Sequence, residues 1–110
     1  MISPLESKIL DKNSECLGIP IENLMDNAGS ELADVVDTFA TGRILFICGS
    51  GNNGGDGYAA SSYLESQADY CAFREPKSEL CIKMSKKVEL IEYSPEIITE
   101  YDTIVDCVLG

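Results

Sequence analysis

Ile44-Leu45-Phe46-Ile47-Cys48 runs straight into Gly49-Ser50-Gly51-Asn52-Asn53-Gly54-Gly55-Asp56-Gly57, and the reading of that stretch decides the fold. An unbroken apolar run stopped by glycines predicts a buried strand closed by a turn. Tyr58 to Leu64 then reads as a helix. Strand, glycine-rich turn and helix together set bare backbone N–H groups and a helix amino-terminus against a phosphate. Asn52, Asn53 and Asp56 are additions that a plain phosphate cradle does not require.

Upstream, Ser3-Pro4 with Glu6 suits a capped helix running to Cys16, and Gly18 ends it. Pro20 opens a second helix, along which Ile21, Leu24, Met25, Ala28, Leu32, Val35, Val36 and Phe39 recur at helical spacing as a core-facing stripe. Gly42 marks the stop before the first strand. Downstream, Tyr70 to Phe73 reads as a second strand, Ser78 to Lys87 as a helix and Val88 to Tyr93 as a third strand. Pro95 starts a brief helix through Glu100, and Asp102 to Leu109 forms a fourth strand, apolar enough to be buried on both faces. Strands alternating with helices predict an α/β fold built on a parallel sheet with right-handed crossovers. With strand order 3-2-1-4, the functional crevice falls outside the carboxyl ends of the first and fourth strands.

The chain has 110 residues, expected to form one domain spanning 1–110 and incomplete at its carboxyl end. Its net charge is −11, from 8 basic and 19 acidic residues, so no basic face for nucleic acid is apparent. An anionic ligand must then be held by local dipoles, close amides or a bound cation. The absence of histidine excludes histidine acid–base chemistry and any histidine-containing zinc site. Cys16, Cys48, Cys71, Cys81 and Cys107 form no C-x-x-C pair, which suits reduced thiols in a cytoplasmic protein. No signal peptide or membrane span is visible.

Gly49-x-Gly51-x-x-Gly54 matches the dinucleotide fingerprint, a weak signal on its own. Its acid, due about 20 residues on, could be Glu75, which sits awkwardly between Arg74 and Pro76. No Gly-Lys-Ser/Thr of a P-loop occurs. Asp56, read as a first-turn carboxylate, suits the helix dipole but would repel a pyrophosphate at the same helix end. Asp106 lies late in an apolar strand, where an unpaired carboxylate is costly unless hydrogen-bonded or met by a cation. An amide oxygen from Asn53 and the carboxylate of Asp106 are donors that a hard cation accepts.

Leu24-Met25-Asp26-Asn27-Ala28-Gly29, the Asn52-Asn53-Gly54-Gly55-Asp56-Gly57 element and Val105-Asp106-Cys107-Val108-Leu109-Gly110 together resemble the NAD(P)H-hydrate epimerase family, built on the YjeF amino-terminal domain. The resemblance runs in order along the whole chain, though Gln67 to Glu100 is shorter than in typical relatives. It implies a Rossmann-like three-layer α/β/α fold with a mostly parallel sheet, and an isomerase that interconverts the R and S epimers of hydrated NADH and NADPH, with a fused or separate ADP/ATP-dependent dehydratase restoring the cofactor from the S form. It implies that Asn52, Asn53, Gly54, Gly55, Asp56 and Gly110 contact the hydrated dinucleotide. Asn53 and Asp106 would be ligands of a potassium ion, Asn27 would brace the glycine segment, and the protein would be a homodimer.

Family members continue beyond the position of Gly110 to an Asp-x-Pro-Ser-Gly-type motif that supplies an aspartate near the nicotinamide, and no such motif occurs in these residues. The catalytic acid–base residue is therefore expected beyond Gly110, and the 110 residues alone are expected to have little epimerase activity. Two alternatives stay open at this point: a non-catalytic binding or scaffold module of the same fold, and an NAD-dependent oxidoreductase. Intact Asn52-to-Gly57 and Asp106 argue against the first while the missing carboxyl half argues for it, and the lack of a convincing ribose-binding acid and the presence of Asp56 argue against the second.

Overall fold

A computed structural model describes residues 21–108. The helix expected from Ser3 to Cys16, and the ligand position Gly110, lie outside the described residues. The elements are α1 (Ile21–Phe39), β1 (Ile44–Cys48), α2 (Asn52–Ala60), β2 (Ala68–Ala72), α3 (Glu79–Ser85), β3 (Leu90–Ile91), a 3-10 helix (Pro95–Glu100) and β4 (Thr103–Cys107). The strands form one sheet in the order β3-β2-β1-β4, every pair parallel, as expected for a Rossmann-like α/β fold.

β1 is buried along its whole length because it is central and covered on both faces. On one face Phe46, Cys48, Tyr70, Val105 and Cys107 pack with Met25, Leu32 and Val36 of α1, Tyr58 of α2, and Cys81 and Met84 of α3. Phe46 and Tyr70, opposite one another in register, stack with ring centroids 4.7 Å apart. On the other face Leu45, Ile47 and Cys71 meet Ile97 of the 3-10 helix, with Ile104 and Val108 partly buried beside them.

That second layer is thin, and it corrects the expectation of a fourth strand buried on both faces. Val105 and Cys107 point to the helices and are buried, whereas Ile104 and Asp106, on the other face, are half-buried under a single 3-10 helix. The third strand is likewise shorter than Val88 to Tyr93, since only Tyr70 and Cys71 at the sheet edge offer it partners. The α1 stripe also outruns its cover. Val35 and Phe39 fall on the apolar arc but are exposed, Phe39 at 73%, because the nine-residue α2 is too short to reach the end of the 19-residue α1.

The turn into β1 needs glycine. Gly42 has φ +63°, and a Cβ there would stand 2.0 Å from Asp102 Oδ2. That same carboxylate oxygen accepts the Arg43 N–H at 2.8 Å. Thr103 Oγ1 both accepts from the Thr41 N–H at 3.0 Å and donates to the Thr41 carbonyl at 2.8 Å. The starts of β1 and β4 are thereby fixed together, which sets where their carboxyl ends emerge.

Candidate functional site

The glycine segment is helix, not loop. α2 begins at Asn52, so Asn52 to Gly57 form its first turns and only Gly49 to Gly51 form the turn itself. Glycine's poor helix propensity makes such a segment read as loop, and close packing explains why it is helical. A Cβ on Gly54 would lie 2.1 Å from the carbonyl oxygen of Gly49. On Gly55 it would lie 2.6 Å from Met25 Sδ, and on Gly57 2.8 and 2.9 Å from the sulfurs of Cys107 and Cys48. The glycines let the helix press onto the sheet and onto α1, with no left-handed backbone in the segment.

This settles how α1 supports the site. Met25 touches the glycine segment, whereas Asn27, expected as the brace, is exposed on α1. No hydrogen bond from Asn27 to residues 49–57 occurs among the described residues. A methionine inside a helical stripe reads as ordinary core, which is why its role was not visible in the sequence.

α2 starts with Gly51 as its N-cap, a residue with no side chain to cap it. The Gly55 N–H makes the first helical bond, to the Gly51 carbonyl at 3.0 Å. The N–H groups before it lie at the wall of a cavity of about 410 Å³, lined by Ser50, Gly51, Asn52, Asn53, Gly54, Arg74 and Val108. Other cavities lie away from this edge: one of about 130 Å³ by Arg43, Asp69 and Tyr101, and one of about 420 Å³ along β2 and β3.

Of the expected ligand residues, the cavity gathers Asn52, Asn53 and Gly54. Asn52 is exposed and its Oδ1 accepts a hydrogen bond from Ser78 Oγ at 3.3 Å. Asn53 is 3% exposed. Gly55 faces Met25, and Asp56 sits in the second turn, fully buried, so neither lines the cavity. Asp56 is thus not the first-turn, dipole-stabilised carboxylate that the sequence suggested. Burial, and after it the charge of Asp56, push the Cys81 thiol up to about 11.

β4 ends beside this turn. Cys48 and Cys107 are register partners, the Gly49 N–H donates to the Cys107 carbonyl at 2.9 Å, and a Cβ on Gly49 would lie 2.7 Å from the Val108 carbonyl oxygen. Asp106 pairs with Ile47 on the thinly covered face, and its Oδ1 accepts the Val108 N–H at 3.0 Å. Asn53, on the helix that packs the other face, and Asp106 therefore flank the carboxyl edge from its two sides. Both carry hard oxygen donors, the kind an alkali or alkaline-earth ion takes, and they are two of the roughly six to eight a large cation needs. No group of three or more Cys, Asp or Glu side chains placed to hold a metal occurs among the described residues.

Cys48, Cys71, Cys81 and Cys107 are buried free thiols, in keeping with their expected role as small hydrophobes. Burial, and then the Cys107 side chain, hold the Cys48 thiol well above its usual range. The residue that the sequence reading passed over is Arg74. It follows the end of β2 and lines the cavity, while its neighbour Glu75, the acid considered for that position, does not. Its distance of 20 residues from Gly54 was the available signal.

Comparison with known proteins agrees with this geometry. The chain is 35% identical over 127 aligned residues to a bifunctional NAD(P)H-hydrate repair enzyme Nnr of Methanospirillum hungatei JF-1, an alignment covering 100% of this chain and 26% of the relative. It is 37% identical to the enzyme of that name from Archaeoglobus fulgidus, covering 99% of this chain and 25% of the relative. It is 30% identical to an NAD(P)H-hydrate epimerase of Paramecium tetraurelia, covering 88% of this chain and 47% of the relative. The chain thus spans about a quarter of the bifunctional relatives and about half of the epimerase. No helix among the described residues is long and apolar enough to cross a membrane. The family described as YjeF-related protein N-terminus matches residues 21–110, and with the whole-length likeness above this chain belongs to that family.

Proposed function

We propose that this chain carries the dinucleotide-binding part of an NAD(P)H-hydrate epimerase, which interconverts the R and S epimers of hydrated NADH and NADPH. The observation that carries the reading is the glycine-started α2 opening into a cavity at the carboxyl edge of a parallel sheet, with Asn52 and Asn53 in its wall. N–H groups at a helix start bind phosphate oxygens, and the fully buried Asp56 does not line this cavity. Asn52 offers an amide to the ligand and is itself steadied by Ser78. Gly54 and Gly55 keep the helix end close to the sheet, and Asp56 positions the segment from behind.

Asn53 and Asp106 are the residues that would hold a potassium ion. When bound, the ion supplies a fixed positive charge beside the nucleotide, against the negative net charge of the chain. Epimerisation at C6 of the hydrated ring needs the hydroxyl to depart, or the ring to open, and the centre to be rebuilt on the opposite face. Arg74 is the only ionisable side chain lining the cavity among the described residues, and a guanidinium offers donors but no acceptor. Proton transfer at C6 therefore calls on groups these residues do not supply, and their own work is to bind and orient. A homodimer and an accompanying dehydratase, as the word bifunctional in the relatives' names suggests, belong to the same proposal.

Calorimetric titration with hydrated NADPH in potassium and in potassium-free buffer tests the reading. Saturable binding is expected, tightened by potassium in the wild type and not in Asn53→Ala, with the variant weaker by about tenfold, the scale of one lost hydrogen bond to a charged group. Absence of saturable binding in potassium buffer overturns it.

A further inference from the structure

The epimerase reading leaves open which nucleotide the site prefers, and the end of β2 bears on that. The Phe73 N–H donates to the Cys48 carbonyl at 2.8 Å, one rung beyond the last paired residue of β2, so the backbone entering Arg74 is held by the sheet. The Arg74 guanidinium lies over the Phe73 ring, 5.6 Å from its centroid, and that ring packs edge-on against Tyr93 at 5.1 Å. A few residues on, the N–H groups of Lys77 and Ser78 both donate to the Ser50 carbonyl, at 2.9 and 3.2 Å. The loop that carries Arg74 is therefore fastened at both ends to β1 and its glycine turn.

Charge singles this residue out. The chain has 19 acidic residues to 8 basic ones, yet Arg74 makes no salt bridge among the described residues. The ion pairs present there are Arg43 with Asp69 and Lys83 with Glu22. An exposed guanidinium without a carboxylate thus stands at a cavity whose other lining residues are neutral. In doubly wound sheets the residue at the end of the second strand meets the adenosine ribose. An acid there takes the 2′-hydroxyl, and an arginine takes a 2′-phosphate. Glu75, the acid in reach, lies outside the cavity lining, and the cation lies in it.

We propose that Arg74 is a specificity-determining residue that receives the 2′-phosphate of hydrated NADPH, so that the site prefers hydrated NADPH to hydrated NADH. This rests on the epimerase reading above. A planar fork of donors matches a phosphate bidentately, and the dianion gains from a cation that no carboxylate among the described residues pairs with.

The test measures the affinities of hydrated NADPH and hydrated NADH for wild type, Arg74→Ala and Arg74→Lys. The wild type is expected to bind hydrated NADPH about tenfold or more tightly, a gap that narrows with added salt. Arg74→Ala is expected to remove most of that gap while leaving hydrated NADH within about twofold of wild type, and Arg74→Lys to keep part of it. Unchanged melting temperatures, expected for an exposed residue, separate lost recognition from lost fold. Equal binding of the two nucleotides by wild type, or equal weakening of both in Arg74→Ala, overturns the role of Arg74 and leaves the epimerase reading standing. If neither nucleotide binds the wild type, the epimerase reading itself fails and takes this inference with it.

Discussion

α2 and α3 lie side by side on one face of the sheet and begin at the same edge, but they begin differently. α3 is closed by a conventional cap: Ser78 Oγ accepts the Cys81 N–H at 3.1 Å. α2 starts at Gly51, with no capping side chain and a cavity before it. The same Ser78 reaches across to Asn52, so the capped helix start steadies its neighbour. The difference teaches which helix start the proposed reading gives to a ligand: a side-chain cap is supplied at α3, and glycine stands in that place at α2.

The largest test of that contrast is Gly54→Ala. Helix propensity alone would favour alanine by about 1 kcal/mol. The new Cβ, however, would meet the Gly49 carbonyl oxygen at 2.1 Å and the Gly49 carbonyl carbon at 2.8 Å, both backbone atoms. Overpacking against backbone should win, with a net loss of about 3 kcal/mol in urea unfolding. A stabilised variant would mean that α2 does not press on the β1 turn.

Next comes pH. The Cys81 Sγ–H donates to the same Gly49 carbonyl at 3.5 Å, and in the folded protein this thiol keeps its proton to about 11. In the unfolded chain it ionises near pH 8.5, so its contribution is complete below that value and lost as pH rises toward 11. Stability should fall more steeply above pH 8.5 in wild type than in Cys81→Ala, by about 1.4 kcal/mol per pH unit. Parallel slopes for the two proteins would place Cys81 outside the α2–α3 contact.

Smaller effects bear directly on the two caps. Ser78→Ala should lower stability by about 1 kcal/mol, and it should also weaken hydrated NADPH binding by freeing Asn52. Gly51→Ser does the reverse at the other helix. Open space surrounds the new Cβ, so serine can cap α2. Thermal unfolding should register a gain of a few tenths of a kcal/mol, with weaker nucleotide binding as the cap occupies the donors. Stability and binding moving together in Gly51→Ser would break the comparison.

Much of this was legible in the chain itself. The run Ile44 to Cys48 is β1 to the residue, Gly42 is the left-handed turn before it, the parallel sheet follows from the alternation of elements, and its order is the expected 3-2-1-4. What was hidden depends on neighbours distant in sequence. Asn52 to Gly57 read as loop because glycine disfavours helix in isolation, and only contact with Gly49, Met25 and two thiols makes it helical. Phe39 read as core because periodicity does not report the length of the helix across from it. Asp56 read as a cap because its turn number depends on where α2 starts. Arg74 looked like a strand terminator beside a proline, and its place in the cavity wall comes from the fold of the β2–α3 connection.

The Ser50 carbonyl, shared by the N–H groups of Lys77 and Ser78, has a consequence for how occupancy could be watched. Those two amides sit on a connecting segment, yet their partner is the residue just before the N-cap of α2. Their hydrogen–deuterium exchange should slow when a nucleotide settles against that turn, which makes them a built-in reporter remote from any reacting atom.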